Sequence, residues 1–112
     1  MNYKIITTDN FNREVKILVK KYHSFIEDLK TFNEKLLKNP EIGDKLGGNV
    51  RKVRMAITDK NKGKRGGARV ITCIVLIDVE NTKIYLLAIY DKNERDSISA
   101  KEIEILKKQN GI

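Results

Sequence analysis

Two apolar, β-branched runs, Ala68–Ile77 (ARVITCIVLI) and Ile84–Tyr90 (IYLLAIY), limit what this chain can fold into more than any other feature. Neither is long enough to span a bilayer. Both are too continuous to be half-exposed strands, so they read as neighbouring strands covered on both faces along part of their length. Glu80-Asn81-Thr82 turns the chain between them, which makes the pair antiparallel. Upstream, from Arg51, the pattern has period two. Val53, Met55 and Ile57 point one way, and Lys52, Arg54 and Ala56 the other. That strand reaches the first apolar run through the polar, glycine-bearing segment Asp59–Gly67, so three consecutive strands form an antiparallel meander.

A sheet needs a cover, and the N-terminal third supplies one. Tyr3–Thr8 is a short β-prone run, after which Asp9 or Asn10 caps a helix with Phe11, Val15, Leu18 and Tyr22 on one stripe. Ser24 with Glu27 reads as a capping box opening a second helix, whose stripe is Phe25, Leu29, Phe32 and Leu36 and which Asn39-Pro40 ends. Residues 41–49, with Gly43, Gly47 and Gly48, read as a loop. Ser99 with Glu102 is a further capping box, and Ile103 and Leu106 mark a final helix. The expected order is β-α-α-β-β-β-α: an α+β fold with an antiparallel sheet and the helices on one face, the N-terminal two as a hairpin. At 112 residues the chain is one domain, 1–112. With no Trp, its core is built mainly from Ile, Leu and Val. MNYKIITTDNF lacks the apolar region of a signal peptide, and a small domain with the single cysteine Cys73 fits a reducing cytoplasm. Cys73 reads as a core residue and His23, at the helix junction, as a surface residue; one Cys and one His leave no metal-binding spacing. Tyr85 and Tyr90 read as core or strand-edge residues.

Charge is distributed unevenly. Val50–Ile71 holds Arg51, Lys52, Arg54, Lys60, Lys62, Lys64, Arg65 and Arg69 against the single acid Asp59, a net +7 in a chain whose total is +8. A concentration of this kind is repulsive when empty and favours a polyanion such as nucleic acid. If the strands flanking Asp59–Gly67 pair, Lys52 or Arg54 comes near Arg69 on the sheet face away from the helix pair, with Lys92 approaching from the end of the next strand.

Lys52-Val53-Arg54, the segment Lys62-Gly63-Lys64-Arg65-Gly66-Gly67-Ala68-Arg69-Val70-Ile71, and Ile84-Tyr85-Leu86-Leu87-Ala88-Ile89-Tyr90-Asp91-Lys92 together resemble the RelE/HigB family of toxins from bacterial toxin–antitoxin pairs. The likeness covers essentially the whole chain and is closest to the HigB-like branch, with its KGKxGGxR and YLLxIYxK motifs. It implies a small, cofactor-free and metal-independent endoribonuclease that cuts messenger RNA in the ribosomal A site and so inhibits translation. It also implies a cognate helix-turn-helix antitoxin that masks the basic face and alone reaches operator DNA. By position, Lys52 and Arg54, Arg69, and Lys92 match the family's basic residues on successive strands. Ile98 stands near the place where RelE-like members often carry a tyrosine.

Metal-free RNA cleavage requires a base for the 2′-hydroxyl, charge for the phosphate and a proton for the leaving 5′-oxygen. Arg69 is the expected phosphate ligand, with Arg54 sharing the task. Lys52 is the expected base, since crowding by cations favours the neutral amine. Tyr90 or Lys92 supplies the proton, while Lys60, Lys62, Lys64 and Arg65 hold the RNA backbone. Two other readings remain open at this point: a ParE-like toxin acting on DNA gyrase, and a non-catalytic RNA-binding relative.

Overall fold

A computed structural model describes residues 2–112. In chain order the elements are β1 (Asn2–Thr7), α1 (Asp9–Lys21), α2 (Phe25–Lys38), β2 (Asp44–Gly47), β3 (Val50–Met55), a 3-10 turn (Thr58–Lys60), β4 (Ala68–Leu76), β5 (Asn81–Asp91) and α3 (Ala100–Gln109). The five strands make one sheet in the order β1-β5-β4-β3-β2. The expected meander of β3, β4 and β5 is antiparallel throughout. Two features differ from the sequence expectation. Asp44–Gly47 is a strand paired with β3, and β1 joins β5 in parallel, so the sheet is mixed. The meander logic covers only strands joined by short connections, whereas β1 is separated from the rest by two helices and is free to run either way.

Both faces of the sheet are packed, but differently. Phe11 and Leu18 from α1 and Phe25, Phe32 and Leu36 from α2 bury against Val53, Met55, Val70, Ile84, Leu86 and Ile89. Each such side chain contributes roughly 1.5–3 kcal/mol through apolar burial. The opposite face carries a smaller cluster in which Ile71, Cys73, Leu87, Ala88 and Tyr90 meet Ile103 of α3. The last helix therefore does not share the face of the first two. The cause is the double-sided apolar character of β4 and β5, whose second face would otherwise meet water.

The helix ends also refine the sequence reading. Thr8 caps α1, its side chain accepting from the Phe11 N–H, in place of Asp9 or Asn10. Ser99 caps α3 as expected, accepting from the Glu102 N–H at 3.1 Å. Ser24 makes no side-chain cap for α2. Its Oγ accepts from the Asp59 N–H at 3.0 Å and donates to Asp28 Oδ2 at 2.8 Å. A tertiary contact has taken over the hydroxyl that the local motif would have used.

Beyond Thr7, which pairs with Leu86, β5 has no strand neighbour on its β1 side. Side chains of the Thr8 cap and α1 take over. Thr8 Oγ1 donates to the Leu86 carbonyl at 2.8 Å, Asn10 Nδ2 to the Leu87 carbonyl at 3.0 Å, and Glu14 Oε1 accepts from the Ile89 N–H at 3.1 Å. The start of α1 thus acts as a polar edge for β5, satisfying groups that a buried strand cannot leave unpaired.

Candidate functional site

Arg54 of β3 stands directly opposite Arg69 of β4, and Arg69 directly opposite Tyr90 of β5. Cross-strand partners share a face, so the three form a row across the sheet on the α3 side. Lys52 lies on the same face one step along β3, opposite Ile71. The row is graded in exposure: Arg54 is exposed and Lys52 half-buried, while Arg69 and Tyr90 are each only 6% exposed. Burial first, and then the charge of Arg54, push the Arg69 guanidinium below its ordinary pKa. Tyr90 Oη is buried and has no hydrogen-bond partner among the described residues. Burial raises the pKa of this phenol against the pull of Arg95 and Arg69, so it keeps its proton at neutral pH.

Arg69, expected as the phosphate ligand, has a second task. Its Nη1 donates to the Lys64 and Ala68 carbonyls at 3.2 and 3.1 Å, and its Nη2 to the Arg65 carbonyl at 3.1 Å. Three of the five guanidinium N–H groups therefore hold the segment that carries Lys62, Lys64 and Arg65. Those three side chains are exposed. Lys60 differs from the expectation of a free RNA-binding cation. Its Nζ donates to Asp91 Oδ1 at 2.6 Å, and the two side chains are 5% and 0% exposed. Asp91 also accepts from Tyr22 Oη at 2.5 Å and from the Asn93 N–H at 3.0 Å. Burial works to raise the Asp91 pKa, but the bonds from Lys60, Tyr22 and Asn93 prevail and bring it down to about 2.

The segment is thus tied at both ends, at Lys60 and at Arg69. The start of α2 adds a third tie: Asp28 accepts from the Thr58 N–H at 2.8 Å, and Asp59 from the Ser24 N–H at 2.9 Å. Gly67 makes the close approach possible, because a Cβ there would fall on the Met55 carbonyl oxygen. Lys92 lies just past β5, exposed, its N–H donating to the Gly67 carbonyl at 3.1 Å. It therefore sits at the end of the sheet where the tied segment rejoins β4.

Three participants escape a reading of the sequence alone. Arg95 places its guanidinium 5.5 Å from the centroid of the Tyr90 ring and donates to Glu102 Oε2 at 2.5 Å. It extends the row by one more cation, and the hydrogen bond to Glu102 raises its pKa. Asp44 stands opposite Lys52 on β2 and brings a carboxylate among the cations. Glu14, half-buried at the edge of β5, has its pKa raised by burial despite its bonds to Ile89 and Asn10. A basic residue closely following a strand rich in apolar residues is the one signal that could have pointed to Arg95. Asp44 and Glu14 carry no local signal, since only strand pairing and helix docking bring them in.

His23 is exposed, and Cys73 is fully buried with its thiol pKa raised by burial, as the sequence suggests. Tyr85 and Tyr90 both pack in the cluster beneath α3. Among the described residues no group of three or more His, Cys, Asp or Glu side chains could hold a metal ion, and no helix is long and apolar enough to cross a membrane. The fold agrees with a match to the family model for the RelE toxin of the RelE/RelB toxin–antitoxin system, which covers residues 3–112. With nearly every residue included in that match, this chain belongs to the RelE toxin family, whose members pair with an antitoxin.

Proposed function

We propose that this toxin is a metal-independent endoribonuclease of the HigB-like branch that cuts messenger RNA on the ribosome and stops translation. The observation that carries this reading is the cross-strand juxtaposition of Arg54 and Arg69, two like charges held side by side on one sheet face. An arrangement that costs free energy when empty is explained by an anion that binds between them. Arg54, being exposed, makes the direct contact with the scissile phosphate. Arg69 backs it with its two uncommitted N–H groups while shaping the neighbouring segment. Lys52, one step along the same face, takes the proton of the 2′-hydroxyl. The exposed Lys92 delivers a proton to the leaving 5′-oxygen, and Tyr90, whose hydroxyl is buried, braces Arg69 and Arg95. Lys62, Lys64 and Arg65 hold the RNA backbone, with little preference among bases.

The partner that this charge favours is an antitoxin with an acidic or amphipathic segment over the basic face, and the resemblance to HigB-like toxins makes it one of the helix-turn-helix kind that also binds operator DNA. The decisive experiment is cleavage of a messenger RNA programmed on purified ribosomes, with Arg54→Ala beside the parent. Cleavage by the parent and a loss of roughly 100-fold in the variant support the reading. Equal rates overturn the assignment of Arg54. No cleavage by the parent, together with inhibition of purified gyrase, replaces the reading with a ParE-like action. RNA affinity without cleavage or gyrase inhibition replaces it with a binding role. Lost cleavage with retained RNA affinity in Lys52→Met supports Lys52 as base, and an unchanged rate removes it.

A further inference from the structure

We propose that the cleft between α2 and the outer edge of β3 is a subsite for one nucleobase of the RNA chain, next to the phosphate held by Arg54. The proposal deepens the reading above and rests on it. β2 ends its pairing with Asp44 opposite Lys52, so β3 has no outer strand neighbour from Val53 onward. There α2 leans over the open edge and leaves a cleft of about 170 Å³. Its lining is mixed: the half-buried Ile42 and the buried Phe32, Leu36, Val53 and Met55 on the apolar side, and three cations, Arg54, Lys64 and Lys35. The one acid in its wall, Asp28, is already engaged, accepting from Ser24 Oγ, the Thr58 N–H and Thr58 Oγ1.

A partly apolar lining with three cations against the one acid Asp28 fits a ligand with a flat apolar body and an anionic end. The volume is below the roughly 300–1,000 Å³ of sites that enclose a whole drug-sized molecule, so it suits one ring system and not a run of peptide side chains. Single-stranded nucleic acid presents this combination, with unstacked bases that seat on apolar side chains while the backbone follows a basic groove. The cleft is also continuous with the cation row. A shallower depression reaching Lys52 and Asp44 shares Ile42, Val53, Arg54 and Lys64 with it. Arg54 therefore borders both depressions, within reach of the phosphate joining a seated base to the rest of the chain.

The test is an NMR titration of the full chain with adenosine 5′-monophosphate, ribose 5-phosphate and a non-cleavable RNA trinucleotide. Adenosine monophosphate is expected to shift the amides of Thr31, Ile42 and Val53, whereas ribose 5-phosphate shifts only Arg54 and Lys64. The trinucleotide should bind at least tenfold more tightly than the mononucleotide. Thr31 is exposed on α2 at the cleft, so Thr31→Leu narrows the opening without removing a cation or a buried contact. That variant should weaken mononucleotide binding at least fivefold and leave ribose 5-phosphate unchanged.

Equal affinities for adenosine monophosphate and ribose 5-phosphate overturn the base subsite. Equal affinities for mononucleotide and trinucleotide overturn its assignment to an RNA chain. Shifts at the cleft with an acidic apolar peptide alone assign it to a protein partner and overturn the proposal. None of these measurements reads cleavage, so the two readings fail separately. Cleavage that depends on Arg54, with no base-specific shift, removes the subsite alone. Base-specific shifts in a protein that cuts nothing support the subsite and remove the nuclease.

Discussion

Lys60 and Arg69 belong to the same basic stretch as Arg54, Lys62, Lys64 and Arg65, yet the fold uses the two groups in opposite ways. The first pair is buried and hydrogen-bonded, to Asp91 and to backbone carbonyls. The second group is exposed. A cation removed from water must be paired, and once paired it becomes a structural fastener. A cation left in water keeps its charge available to a ligand. The two fasteners and the tie to the start of α2 hold the segment that presents the free charges. The surplus of +7 therefore describes two populations, one that shapes the site and one that acts from it.

That division makes distinct predictions for each group. The largest effect belongs to the exposed group: Arg54→Ala should slow RNA cleavage roughly 100-fold while the urea midpoint stays at or slightly above that of the parent, because an exposed side chain and its repulsion of Arg69 are removed. A matching fall in stability would erase the distinction between the two groups. Next comes the buried group. Lys60→Met leaves the Asp91 carboxylate with only the longer ion pair to Lys21, at 3.5 Å, and should cost roughly 2 kcal/mol of folding free energy in urea denaturation, less than a fully unpaired buried charge; a loss under about 0.5 kcal/mol would place Lys60 with the solvated cations.

Acid sharpens the same contrast. Asp91 titrates at about 2 in the folded chain, below its ordinary value of 3.8. Its stabilising contribution is therefore complete above the ordinary value and lost as pH falls from there through about 2. A loss on the order of 2 kcal/mol over that window is expected in the parent. Lys60→Met, lacking the ammonium that favours the carboxylate, should lose less. Equal acid profiles would detach Asp91 from Lys60. The smallest effect is on salt dependence: Lys62→Ala or Lys64→Ala should each reduce the slope of log affinity against log salt by about 0.7 for single-stranded RNA, with no change in the urea midpoint. An unchanged slope would show that these lysines touch no phosphate.

The legible parts of this molecule are those set by periodicity. Val53, Met55 and Ile57 alternate with Lys52, Arg54 and Ala56, and a strand can present that pattern in only one way. Phe25, Phe32 and Leu36 fall on one stripe of a helix for the same reason. Ser24 shows the limit of local reasoning. Its spacing to Glu27 is that of a capping box, yet the hydroxyl goes to Asp28 and the Asp59 N–H because α2 docks against the 3-10 turn. Lys60 shows it again: among neighbouring lysines of the same charge, only the position of Asp91 31 residues away in sequence separates it from Lys62.

From its residues alone, the chain determined that a strand with an arginine on its polar face would be followed, after a glycine-bearing segment, by an apolar strand opening on another arginine. Local sterics and apolar burial are properties of short stretches, and they suffice for that much. Tertiary structure alone decided the register that sets Arg54 beside Arg69, the placement of α3 against the second face, and which cations are buried in pairs. These depend on distant groups meeting in a medium where an unpaired charge is costly, and that cost exists only once the chain has closed around them.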